Sequence, residues 1–151
     1  MTTSIPPYSN GWNVLAHPDG TIENTDGFLF YEAEVSIHHS EKGWCIPMSG
    51  LEMFFENTLK KYGFNDREIK DFVDYWTQYL PISSFYAIYP VTGKSLEKIC
   101  PLNIKPKPDN ILRLWFVFSP LSEIKDLDAP KIRSFERTGY VAAEWGGIIK
   151  K

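Results

Sequence analysis

Apolar and polar positions alternate with two different periods along this chain, and the changes of period mark its elements. Tyr31, Ala33, Val35 and Ile37 share one side of an extended run, with Glu32, Glu34 and Ser36 on the other. That is the two-residue period of a strand with one wet face. The run opens at Phe28, and Phe28 and Phe30 on the polar side predict cover there at one end. A shorter strand over 13–16 precedes it. His17-Pro18-Asp19-Gly20 and Asn24-Thr25-Asp26-Gly27 supply the turn chemistry between them, so 12–37 reads as a hairpin or meander.

The period then lengthens to that of a helix. Leu51, Phe54, Phe55, Thr58 and Leu59 fall on one face of a helix over about 49–62. Ser49-Gly50-Leu51-Glu52 reads as its capping box, and Gly63 as its left-handed stop. Asn65-Asp66-Arg67-Glu68 opens a second helix over about 65–80, with Ile69, Phe72, Val73, Trp76 and Leu80 as its stripe and Pro81 as its end. A link this short predicts a side-by-side helical hairpin, and both stripes need a sheet to cover.

Strand patterns resume over 85–91, 111–119 and 140–145. In the second, Leu112, Leu114, Phe116 and Phe118 form one face, while Ile111, Trp115 and Val117 share the other with Arg113. Apolar residues on both faces predict a central strand covered on both sides. Three prolines make 101–109 an extended loop or edge, and 122–134 reads as polar loop. The expectation is an α+β fold, an antiparallel sheet packed on a two-helix hairpin, in a single domain over 1–151.

Composition narrows the function. Sixteen basic residues against nineteen acidic ones leave a charge of −3, which argues against an electrostatically driven nucleic-acid binder. No apolar run spans a bilayer and no signal peptide is visible near Met1, so no membrane is expected and the cytoplasm is the expected compartment. Cys45 and Cys100 sit beside apolar residues and read as buried free thiols, although one disulfide remains open to them. Aromatics reach 15% of the chain. Some should surface as contact anchors, and Trp12, Tyr31, Trp44 and Trp145 are the candidates.

Chemistry-bearing motifs are few. His17 lies in a turn, and His38-His39 on a strand would point to opposite faces, so no metal and no cofactor is expected. Thr92-Gly93-Lys94-Ser95 ends like a phosphate-binding loop, but Ile88 stands where its first glycine belongs, and it reads as a turn. Gly146-Gly147 reads as chain reversal. No nucleophile elbow is present. Glu32, Arg113 and Glu144 form the one polar cluster of interest, because each sits in a strand pattern among apolar neighbours. Buried charges must be paired, neutralised or functional. Three readings stand: an Arg–Glu pair pinning strand register, a carboxylate pocket with aromatic walls, or an acid–base pair.

Further motifs lie along the chain: Gly11-Trp12-Asn13-Val14, His17-Pro18-Asp19-Gly20, Phe28-Leu29-Phe30-Tyr31-Glu32, Gly43-Trp44, Asn65 to Phe72, Pro106-Lys107-Pro108-Asp109, Pro120-Leu121, Glu136-Arg137-Thr138-Gly139 and Glu144-Trp145-Gly146-Gly147. In this order they resemble a family of uncharacterised proteins found widely in bacteria and fungi, with Tyr31 where that family has Trp. The resemblance covers nearly the whole chain and implies a single domain but no activity. The resulting expectation is a non-enzymatic binding or interaction module, its partner an unknown protein or a second copy of itself. The alternative is a small carbohydrate-binding or hydrolytic protein built on Glu32, Glu144 and Arg113.

Overall fold

In the computed structural model, which describes residues 1–150, the chain divides into two units at Ile37. In the first, β1 (Thr3–Ile5) pairs antiparallel with β2 (Phe30–Glu32), Ser4 opposite Tyr31. The turn at His17-Pro18-Asp19-Gly20 forms as its residues require. Gly20 takes φ +86°, its amide donates to the His17 carbonyl (2.9 Å), and Ala16 bridges Ile22. The strands expected over 13–16 and 28–37 shrink to that bridge and to Phe30–Glu32. Alternation marks a face, but a strand also needs a ladder, and β1 offers only three residues to pair with.

The second unit, from His38 onward, is a four-stranded sheet with helices. Strand β3 (Trp44–Pro47) leads through a 3₁₀ turn, Met48–Gly50, into α1 (Leu51–Tyr62). That tighter entry overturns the Ser49 capping box. Ser49 already lies inside the turn, and Gly50 caps the helix without a side-chain bond. Gly63 does end it, at φ +105°. A Cβ there would meet the Phe135 carbonyl oxygen at 2.6 Å. α2 (Asp66–Tyr79) opens on the full capping box: Glu68 N–H donates to Asn65 Oδ1 and Asn65 N–H to Glu68 Oε2, both at 2.9 Å.

Strand β4 (Phe85–Thr92) is followed by α3 (Gly93–Ile99), then β5 (Asn110–Leu121) and β6 (Val141–Ile149). The order is β3-β4-β5-β6. β4 runs antiparallel to both β3 and β5, as expected, but β6 runs parallel to β5, so the sheet is mixed. A parallel neighbour needs a crossover. The segment after Leu121 supplies it, passing the end of α1 where Phe135 N–H donates to the Tyr62 carbonyl (3.0 Å). Arg137 then grips both oxygens of Glu68 at 2.9 Å.

Both sheet faces are closed. Tyr86, Ile88, Leu112, Leu114, Phe116 and Phe118 pack against the stripes of α1 and α2. On the other face Ala87, Tyr89, Val91, Trp115 and Val117 are buried. There α3 packs on β4 and β5 with Leu96 wholly buried, and His39 stacks on Tyr89 at 4.0 Å. Gly93-Lys94-Ser95, expected as a simple turn, is the first turn of α3.

Candidate functional site

The central strand delivers Arg113 to the face opposite α1 and α2, because Leu112 and Leu114 take the helix side. The parallel register sets Glu144 of β6 directly beside it. Arg113 Nε donates to Glu144 Oε2 (2.5 Å), Nη1 to Glu97 Oε2 (2.7 Å) and Nη2 to the Cys100 carbonyl (2.8 Å). One guanidinium therefore ties β5 to β6 and to both ends of the last turn of α3. Its side chain is 8% exposed, that of Glu144 14% and that of Glu97 54%. A cation buried to this degree is tolerable only with such partners.

The structure thus brings together Arg113 and Glu144 and adds Glu97. Glu32 belongs to the first unit, on β2 opposite Thr3, where its carbonyl accepts from Thr2 N–H (2.8 Å). Trp12 and Tyr31 lie in that unit too, their rings 6.3 Å apart, with Trp12 Nε1 donating to the Pro6 carbonyl (2.7 Å). Trp44 and Trp145 line the helix-side core. Trp44 packs edge-on against Phe54 (5.3 Å) and Trp145 against Phe72 (5.3 Å). Both are half-buried.

Gly146 and Gly147 do not reverse the chain; they lie inside β6. A Cβ on Gly146 would stand 2.9 Å from the Trp115 indole nitrogen, and one on Gly147 would stand 2.4 Å from Trp76. The two bare residues admit an indole on each face of the same strand.

Two surface grooves lie away from Arg113. One of about 530 Å³ runs between α1 and α2, with Glu52, Glu56, Asp66 and Asp74 against Lys60 and Lys70. Lys70 there is paired with Asp74, a bond that raises the lysine pKa. The other, about 340 Å³, lies between Gly43–Ile46 and Ile124–Leu127, where Cys45 Sγ accepts from Lys125 N–H (3.3 Å). Cys45 and Cys100 are both free thiols. Among the described residues no three His, Cys, Asp or Glu side chains converge as a metal site, and no helix is long and apolar enough to cross a membrane. His17 instead pairs with Glu23 (2.9 Å).

Glu97 escaped sequence reasoning because an exposed glutamate on a seven-residue helix carries no pattern. The signal available was Arg113 itself, whose burial demanded more than one acceptor. Comparison with protein families, curated proteins and solved structures finds no match.

Proposed function

We propose that the chain is a non-enzymatic protein-interaction module. The observation that carries this reading is the internal use of its buried charges. Arg113 is consumed by Glu144, Glu97 and a backbone carbonyl, so the cluster behaves as a brace for strand register and helix docking. Exposed apolar side chains supply the contact chemistry. Ile82, just beyond α2, is 95% exposed and Tyr79 is 54% exposed. The charge of −3 favours a protein partner over nucleic acid. Two free thiols fit a cytoplasmic setting.

A thermal-shift screen against sugars, divalent metals, nucleotides and small metabolites tests the reading. A ligand at a hundred times its dissociation constant adds about 2.7 kcal/mol, readily seen as a higher melting temperature. The expected result is no shift across the panel. Stabilisation by a sugar that Glu144→Gln abolishes would replace this reading with a carbohydrate-binding or hydrolytic one.

A further inference from the structure

Strand β6 has β5 on its inner edge and no strand beyond it. Three bonds at its ends fix its hydrogen-bond phase. Lys150 N–H donates to the Phe118 carbonyl (2.8 Å), and the Tyr140 carbonyl accepts from Asp109 and Asn110. Even-numbered residues therefore turn their backbone polar groups toward β5, and odd-numbered ones turn them outward. Among the described residues no hydrogen bond reaches the outward groups of Val141, Ala143, Trp145, Gly147 and Ile149.

Such an edge is a template for a further strand, and native proteins blunt it with proline, lysine or a bulge. None of these interrupts β6, whose pairing with β5 is continuous from Val141 to Ile149. Its single ionisable side chain, Glu144, is tied to Arg113.

We propose that this edge pairs antiparallel with the same edge of a second copy, joining two four-stranded sheets across a two-fold axis. The inference rests on the interaction reading above and names its partner. Full overlap of the two strands sets Trp145 opposite its counterpart, Ala143 opposite Gly147 and Val141 opposite Ile149. All are outward-bonding positions, so one register satisfies the whole edge. Glu144 then faces Gly146, and no like charges meet across the seam. Lys150 comes opposite Tyr140, whose N–H binds the Asp109 carboxylate (2.7 Å) on its β5 side, so each end brings a cation toward an anion one strand away. On the helix side Trp145 meets Tyr75 at a tilt (6.1 Å), and Tyr75 stacks on Tyr79 (5.1 Å).

Light scattering on the full chain from low to high micromolar concentration tests this. The expected mass rises toward twice 17.4 kDa. Ala143→Pro removes one outward N–H and no bond to β5. It should return the mass to 17.4 kDa with the circular dichroism unchanged. Hydrogen exchange supplies a reading that needs no variant. The amides of Val141, Ala143, Trp145, Gly147 and Ile149 should exchange more slowly as concentration rises. A chain that stays monomeric overturns the proposal and leaves the interaction reading to the ligand screen. A dimer whose five amides exchange at the monomer rate overturns it in favour of a different self-contact.

Discussion

The two faces of the four-stranded sheet are closed by different physics. Toward α1 and α2 the contact is almost entirely aromatic and aliphatic: Phe55, Phe72, Trp76, Phe116 and Phe118 interlock with ring centroids 4.8–6.3 Å apart. The buried Trp76 N–H on that face has no hydrogen-bond partner among the described residues. Toward α3 a single buried guanidinium gathers two carboxylates and a carbonyl. Apolar packing supplies free energy without direction, whereas a charge network specifies which residues must be adjacent. β6 belongs to both regimes, with Trp145 on one face and Glu144 on the other. An edge strand running parallel to its only neighbour is where register most needs such a device.

The helix-side face is the more easily disrupted of the two. Phe116→Ala empties a fully buried position at the centre of the aromatic cluster. It should cost about 3–5 kcal/mol in chemical denaturation, as large aromatic truncations do. On the other face the outcome depends on what is left behind. Arg113→Ala strands the Glu144 carboxylate and should cost about 3 kcal/mol, the low end for a broken buried pair because Glu97 is half in water. Arg113→Met with Glu144→Leu should be near neutral, within about 1 kcal/mol, because the carboxylate left without its partner, that of Glu97, is half in water. Phe116 admits no such rescue by charge removal. A smaller effect follows from pH. Burial pushes the Tyr62 hydroxyl from its ordinary 10.0 up to about 12, and raises that of Tyr86 as well. The unfolded chain then loses these protons first. These two hydroxyls leave stability unchanged well below pH 10 and lower it as pH rises toward about 12. Denaturation curves on either side of pH 10 should show that decline, and Tyr62→Phe should reduce it without abolishing the share of Tyr86.

Periodicity made the helix side legible. The stripes of α1 and α2 and the two apolar faces of β5 could be read because long elements repeat their pattern several times. Asn65 and Glu68 announced their helix because a capping box is local chemistry. Ser49 carried the same pattern and misled, since the 3₁₀ turn that displaces it depends on where Met48 is tethered, its N–H donating to the Ser84 carbonyl. The pairing of Arg113 with Glu144 was one of three open readings, and it followed from two charges set among apolar strand neighbours. Glu97 was not legible, because α3 is too short to show a period. The parallel direction of β6 depends on a crossover that no strand pattern encodes. The alternation from Phe28 to Ile37 promised more strand than its partner could pair.

A double-mutant cycle on Arg113→Ala and Glu144→Ala tests the structural role of the cluster most directly. If the pair braces β6 against β5, the two losses should be non-additive by about 1.5–3 kcal/mol, the value of hydrogen bonds to charged groups. Additive losses, with each variant unfolding as though the other residue were absent from its surroundings, would contradict the account.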